Sequence, residues 1–263
     1  MIVAGLDLGT VAIKAVFINE KNELLWSGVI PSSCDGASMA EKLLGEGKWF
    51  LKDSGNDLFG IAATGYGRHS LAYADMLVDE ISAIATGGYI LSEKKAKIVI
   101  NIGGQDSKVI SISQDGKVCD FRMNDKCAAG TGRFIEMAAR ILGVPLDKIG
   151  DLGHSSCMPV AINSTCAVFA ESEIVSLLYK KSDKNDIVAG LNRSIARRIF
   201  DFMQGMRIED EVYFDGGPAK NKGLLVALEE ETSCKMKTFT YPQLTGAIGA
   251  ALVLMNKIRG KTI

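Results

Sequence analysis

Two stretches of the chain share one pattern of apolar and polar positions. Residues 2–18 read IVAGLDLGTVAIKAVFI, and residues 98–112 read IVINIGGQDSKVISI. In each, a continuous apolar run meets a glycine turn and continues as an alternating segment. That is the pattern of a buried strand, a tight turn and a second strand. At an offset of 94 residues Asp7 aligns with Asn101, Gly9 with Gly103 and Lys14 with Lys108. Turn-like segments, NEKNE at 19–23 and SQDGK at 113–117, close both copies as hairpin loops. An internal repeat of this kind predicts two related lobes.

Helical spacing takes over between and after the copies. Asp79 to Leu91 reads as a helix following the first copy. Phe134, Met137, Ala138, Ile141 and Leu142 recur at i, i+3, i+4, i+7 and i+8, one face of a helix that Gly143 and Pro145 end. Ala167, Ala170, Ile174, Leu177 and Leu178 make a second face, and Ile187, Leu191, Ile195, Ile199 and Phe202 a third. A strand at Glu211–Phe214 runs into Asp215-Gly216-Gly217, and a last helix spans Leu244 to Ile258. Strands alternating with helices define an α/β fold. The first lobe is expected to take residues 1–94 and 246–263, the second 95–245. No proline-rich or charged linker separates them, so a cleft between the lobes is expected.

Composition narrows the function classes. A chain of 263 residues holds one or two domains at roughly 100–200 residues each. Lys+Arg 30 against Asp+Glu 31 leaves a net charge of −1, without the basic excess of a nucleic-acid binder. The first residues carry no basic region ahead of their apolar run, unlike a signal peptide. Gly246 to Met255, the most apolar late stretch, is about half a bilayer span. A cytoplasmic protein with no membrane contact is expected. Six cysteines in a chain of this size are no secreted disulfide scaffold and suit metal or redox work in a reducing compartment.

Candidate chemistry begins at three glycine turns, each after an apolar run: Asp7-Leu8-Gly9-Thr10, Asn101-Ile102-Gly103-Gly104-Gln105-Asp106 and Asp215-Gly216-Gly217. Glycine lets the backbone approach a phosphate and aim N–H groups at it, and a nearby carboxylate holds Mg²⁺ through water. The chain has neither G-x-x-x-x-G-K-[ST] nor G-x-G-x-x-G, so it is neither a P-loop protein nor a dinucleotide binder of the usual kind. Nucleotide binding is the expectation.

The cysteines suggest a second chemistry. Cys127 precedes Ala-Ala-Gly-Thr-Gly and the first amphipathic face; Cys166 follows Asn163-Ser164-Thr165, good N-cap residues, and opens the second. Both thiols are expected at helix N-termini, where the dipole favours thiolate and other anions. An iron–sulfur cluster with four thiolates is such an anion, and a two-fold dimer would supply four from two per chain. Cys119, Cys127, Cys157 and Cys166 within one chain are the alternative set, although without any C-x₂-C pair. Cys34 and Cys234 are expected as small buried hydrophobes. His69 and His154 have no ligand-spaced partner and read as surface or core-packing residues. Thr64-Gly65-Tyr66-Gly67-Arg68 is expected as a strand-end loop, with Arg68 meeting a phosphate or a partner.

The turns resemble the phosphate motifs (DxGTxxxK, IGGQDSK) and the adenosine motif (FDGGPAKN) of the actin, sugar-kinase and heat-shock-chaperone ATPase superfamily. GLDLGTVAIKAVF, VDEISAIATGG, INIGGQDSKVI, NDKCAAGTGRF, NSTCAVFAESEIVSLL and TGAIGAAL are similar to its activator branch, the ATP-dependent reductive activators of 2-hydroxyacyl-CoA dehydratases and the related benzoyl-CoA reductase ATPase subunits. The resemblance covers nearly the whole chain in order. It implies two duplicated ribonuclease-H-like, actin-like lobes. It implies that Asp7, Gly9 and Thr10 form the first phosphate loop with Lys14 beyond it, and that Gly103, Gly104, Gln105 and Asp106 form the second. Gly216 and Gly217 would lie against the adenosine of ATP or ADP, and Glu80 would stand near Mg²⁺-bound water or, on its residue type alone, serve as an N-terminal helix charge. Asp7, Glu80, Asn101 and Gln105 are the catalytic candidates. Asn101 stands where this family usually has Asp, which would shift Mg²⁺ binding toward Asp7.

The resemblance further implies one [4Fe–4S] cluster bridging a homodimer through Cys127 and Cys166 of each chain. It implies an oxygen-sensitive electron-transfer ATPase, with ferredoxin or flavodoxin as donor and a dehydratase or reductase with its own iron–sulfur cluster as acceptor. A small-metabolite, sugar-type kinase is the runner-up, and an actin-like assembly protein a third reading.

Overall fold

A computed structural model describes residues 1–53, 57–162, 166–206 and 211–260. The chain divides into two compact units. One comprises Met1–Lys97, Ile110–Asp120 and Phe239–Ile263, the other Ile98–Val109 and Phe121–Thr238.

In the first unit, strands β1 (Ile2–Leu8), β2 (Ala12–Asn19), β3 (Leu24–Pro31), β4 (Leu58–Thr64) and β5 (Met76–Leu77) form a sheet in the order β3-β2-β1-β4-β5. β1 runs antiparallel to β2 and parallel to β4. Every residue of β1 is buried, because helices cover both faces of the sheet and leave no polar side to the pattern. Ala4, Leu6 and Leu8 pack with Leu43 and Leu44 of α1 (Gly36–Asp53) on one face. Val3 packs with Ala247, Ala251 and Leu254 of α8 (Thr245–Ile258) on the other. Helix α2 (Glu80–Leu91) lies against α8 at glycine notches. A methyl group at Gly249 would fall 1.7 Å from the Ala83 carbonyl oxygen, and one at Gly87 2.2 Å from that of Thr245.

The second sheet contains β6 (Ile98–Ile102), β7 (Ser107–Ile112), β8 (Val118–Asn124), β9 (Val212–Asp215) and β10 (Met236–Thr238). Its order, β10-β9-β6-β7-β8, is that of the first sheet read from the other end, with β6 in the place of β1 and β9 in the place of β4. β6 pairs parallel with β9, as β1 does with β4. Around this sheet stand α3 (Gly132–Leu142), α4 (Ile149–His154), α5 (Ala167–Tyr179), α6 (Lys184–Met203) and α7 (Lys222–Thr232). Ile98, Ile100 and Ile102 share their core with Phe134, Ile174, Leu191, Ile195 and Leu224. The α/β fold of two duplicated lobes is therefore as the hydrophobic repeat implies.

The bounds expected for α2, β9 and α8 fall within a residue of those observed. Asp79 and Leu244 are N-caps rather than helical residues, and β9 starts at Val212. Among the described residues no helix is long and apolar enough to cross a membrane.

Candidate nucleotide site

Both glycine turns of the repeat leave a buried strand. In the first unit Asp7 stands opposite Lys14 in the β1–β2 register, and their side chains join at 2.9 Å. The pair is mostly buried. Gly9 closes the turn by donating its N–H to the Ala12 carbonyl at 3.2 Å, and the Ser32 hydroxyl donates to the Gly9 carbonyl at 2.6 Å. A methyl group at Gly9 would fall 2.9 Å from the Ala12 carbonyl oxygen and 3.0 Å from Lys14 Nζ, so only glycine fits here. Thr10 at the tip is exposed. Glu80 occupies the first turn of α2, half-buried, beside the N-cap Asp79 whose carboxylate accepts from the Ser82 N–H at 2.8 Å.

In the second unit Gly103 donates its N–H to the Asp106 carbonyl at 2.9 Å, and a methyl group at Gly103 would meet Asp106 Oδ1 at 2.6 Å. The same Oδ1 accepts from Lys108 at 2.6 Å, an ion pair almost wholly buried. The lysine is conserved between the two halves of the repeat, but its acid is not in the same place. Lys14 has Asp7, whereas position 101 is an amide and the acid facing Lys108 comes from Asp106 in the turn itself. Gln105 at the tip is exposed. The N-terminus of α3 is tied to this turn: Gly132 donates its N–H to the Gly103 carbonyl at 2.8 Å, and Arg133 to that of Gly104 at 2.9 Å.

The third turn leaves β9. Gly216 has φ +93°, in the left-handed region, and a methyl group there would lie 2.1 Å from the Ile102 carbonyl oxygen. Gly217 opens the 3₁₀ turn Gly217–Lys220, and Asn221 caps α7 by accepting from the Leu224 N–H at 2.9 Å. Two further residues stand at these strand ends. Thr64, at the end of β4, is in register with Asp7, and Asp215, at the end of β9, is in register with Asn101. Local sequence puts both at strand ends but does not give their partners, because the register joins strands far apart in the chain.

Among the described residues, four buried side-chain polar atoms have no hydrogen-bond partner: Asp7 Oδ1, Thr64 Oγ1, Ser107 Oγ and Asn192 Nδ2. Three of the four stand at the strand-end turns. A buried acceptor left unpaired costs about 1–3 kcal/mol, so such orphans are retained where a ligand or its water completes them. The residues therefore fit a hydrated cation with phosphate: a carboxylate oxygen without partner at Asp7, and turns held open by glycine.

The cysteines differ from one another. Cys166 is the N-cap residue of α5, with extended backbone (φ −118°, ψ 137°), and is half-buried. The segment Asn163-Ser164-Thr165, expected to cap this helix, lies outside the described residues. Cys127 is half-buried too, but sits in the loop ahead of α3, whose N-cap is Thr131. Asn124 holds that loop, accepting from the Cys127 N–H at 3.1 Å and donating to the Cys127 carbonyl at 2.7 Å. The dipole argument thus applies directly to Cys166 and less to Cys127. Cys119 and Cys157 are exposed, and no group of three or more His, Cys, Asp or Glu side chains among the described residues is arranged to hold a metal within one chain. That weighs against the single-chain four-thiolate alternative. Cys34 is exposed, contrary to its expectation as a buried hydrophobe, because it lies in the connection before α1. Cys234 is half-buried against the second core. His69 and His154 are exposed, and Arg68 donates to the Gly65 carbonyl at 3.0 Å within its own 3₁₀ turn.

Two sheets of one topology, each with a glycine turn after its central strand, define a duplicated actin-like ATPase. The profile of the BadF/BadG/BcrA/BcrD ATPase family matches residues 4–253, and the chain belongs to that family. It is 40% identical over 258 residues to the (R)-2-hydroxyglutaryl-CoA dehydratase activating ATPase of Acidaminococcus fermentans, covering 96% of each chain. It superposes with a TM-score of 0.90 on the activator of the 2-hydroxyisocaproyl-CoA dehydratase from Clostridium difficile with bound ADPNP, at 35% identity, covering 100% of this chain and 99% of the other. A ROK family glucokinase from Streptomyces griseus, in complex with glucose and AMPPNP, matches with a TM-score of 0.58 at 14% identity, covering 96% and 99%, which shows a shared fold alone. The chain is an ATPase of the activator branch, and the sugar-kinase reading is not favoured.

Proposed function

We propose that this ATPase is a homodimeric electron-transfer protein that reductively activates a partner 2-hydroxyacyl-CoA dehydratase or a related iron–sulfur reductase. The observation that carries the reading is the backbone link between the IGGQDSK turn and α3, through Gly132 and Arg133, in the unit that also bears Cys127 and Cys166. The likeness to the (R)-2-hydroxyglutaryl-CoA dehydratase activating ATPase of A. fermentans supports the choice of a dehydratase as acceptor.

The nucleotide's phosphates are assigned to the turns of Gly9 and Thr10 and of Gly103 and Gly104, and its adenosine to Gly216 and Gly217. Asp7 Oδ1, buried without a partner, would accept from a water of the nucleotide's Mg²⁺. Lys14 balances the other Asp7 oxygen. Glu80 and Gln105 are assigned to the attacking water, and Asp106 holds its turn through Lys108.

Cys127 and Cys166 suit thiolate ligation: both are partly exposed, and Cys166 begins a helix whose dipole favours an anion. Two ligands per chain leave a four-thiolate set half complete, and a two-fold pair of chains completes it. A [4Fe–4S] cluster bound there supplies low-potential one-electron chemistry. When the phosphate turn shifts with nucleotide state, the carbonyls of Gly103 and Gly104 carry the N-terminus of α3 with them and alter the surroundings of Cys127. The donor is assigned to the ferredoxin or flavodoxin class and the compartment to the cytoplasm.

The test is anaerobic activation of a purified 2-hydroxyacyl-CoA dehydratase component by this protein, with reduced ferredoxin and ATP. Activation is expected to require ATP and to be absent with Cys127→Ala or Cys166→Ala. Full activation by both variants would overturn the reading.

A further inference from the structure

We propose that Thr64 is a positioning residue of the nucleotide site: its hydroxyl oxygen and Asp7 Oδ1 together hold one water of the nucleotide's Mg²⁺, each accepting one of that water's hydrogens. The inference rests on the nucleotide assignment above and deepens it. It concerns the first unit alone.

Strand order and register bring the two oxygens together. β1 lies between β2 and β4, and Asp7 is in parallel register with Thr64 at the end of β4. In-register residues of neighbouring strands point to one face of their sheet. Here that face is the one α8 covers. Val3 and Ala62, which alternate in phase with Asp7 and Thr64, pack there, whereas Ala4 and Ala63 pack on the other face. The Asp7 carboxylate is divided between its two neighbours. Its Oδ2 takes the Lys14 ammonium of β2 at 2.9 Å. Its Oδ1 lies on the β4 side, where a methyl group on Gly65 would fall 2.5 Å from it. Gly65 follows Thr64 directly, and its φ of +82° leads the chain away and leaves that oxygen room.

Among the described residues, neither oxygen has a hydrogen-bond partner, although Thr64 is 0% and Asp7 8% exposed. They do not bond each other, so a third group is needed to satisfy both. A valine would fill the same space in a buried strand without an orphaned hydroxyl, so the threonine oxygen marks a place for a ligand. The chemistry of the pair selects which ligand. A phosphate oxygen would set acceptor against acceptor at the Asp7 carboxylate. A metal-bound water turns its lone pair to the metal and keeps two hydrogens to donate. It is matched by two acceptors side by side, and a hydroxyl oxygen accepts as readily as it donates. Mg²⁺ retains several waters when it binds through phosphates and one or two carboxylates, so such a water is what these two strand ends would meet.

The experiment measures ADP affinity of the full-length protein by calorimetry, with and without Mg²⁺, together with the thermal unfolding midpoint of the free protein. Thr64→Val keeps the shape and removes the hydroxyl. It is expected to lower the Mg²⁺-dependent gain in ADP affinity about tenfold, the loss of one hydrogen bond to a charged group. Metal-free ADP affinity is expected to stay within about twofold. Because the variant also removes a buried orphan, its unfolding midpoint is expected to be no lower than that of the wild type. Thr64→Ser restores the hydroxyl and is expected to keep the gain within about threefold of wild type. Should Thr64→Val not fold, Thr64→Ala serves in its place with the same expected loss. A wild-type gain without the hydroxyl overturns the proposal alone. So does an equal loss with and without Mg²⁺, the mark of a merely structural role, or a loss in Thr64→Ser as large as in Thr64→Val. Wild-type protein that binds no ADP with Mg²⁺, or binds it equally well without, overturns the nucleotide assignment and this proposal with it.

Discussion

Asp7 and Gly216 show what the site demands of single residues. Asp7 spends one carboxylate oxygen on Lys14 and keeps the other buried without a partner, an arrangement that favours binding over stability. Gly216 answers a different demand, for backbone: its positive φ turns the chain directly beneath the Ile102 carbonyl. Gly143 has a positive φ too, at the C-terminus of α3, but nothing lies within 4 Å of its methyl position. The two glycines therefore separate conformational strain from steric clash. Gly143→Ala is expected to cost about 1–2 kcal/mol, the strain of a left-handed non-glycine residue. Gly216→Ala adds the clash and is expected to lose more than ~3 kcal/mol. Urea unfolding of both variants checks the difference, and equal losses would contradict the geometry.

Helix packing obeys the same logic in the first unit. α2 and α8 approach closely enough that their glycines receive each other's carbonyls, with Gly249 against Ala83 and Gly87 against Thr245. Gly249→Ala is expected to push the helices apart and lose at least ~3 kcal/mol. Gly45, exposed in α1 with open space around it, should behave in the opposite way. There Gly45→Ala is expected to gain about 0.5–1 kcal/mol from helix propensity. Thermal unfolding of the pair reads both signs. These contacts also explain how far the elements are legible in sequence. α3, α5 and α6 each set one apolar face on the core, so their spacing is visible. α1 escapes, because glycines at 36, 45 and 47 break its pattern. α4 spans only six residues, and α7 follows a glycine turn that reads as loop. Glycine turns are legible because close approach requires the residue itself. The pairing of Thr64 with Asp7 and of Asp215 with Asn101 is not, because it depends on register between distant strands.

Across the whole molecule, the duplication is what makes the functional reading possible. It repeats the sheet order, the central strand with its glycine turn and lysine, and the strand-end glycine with its 3₁₀ turn. The halves then diverge. The first unit keeps its acid on the central strand, whereas the second moves it aside and adds α3 and α5 with their cysteines. The turn of Gly103 and Gly104 is tied by backbone hydrogen bonds to the start of α3, just after Cys127, and the proposed coupling of nucleotide state to metal chemistry rests on that link. The account stands or falls on shared ligation by two chains. Native mass spectrometry of anaerobically reconstituted protein measures it most directly. The account predicts a species of two chains with about four irons and four sulfides, absent from Cys127→Ala and Cys166→Ala protein. Iron-free monomers that still hydrolyse ATP, or a full cluster on a single chain, would contradict it.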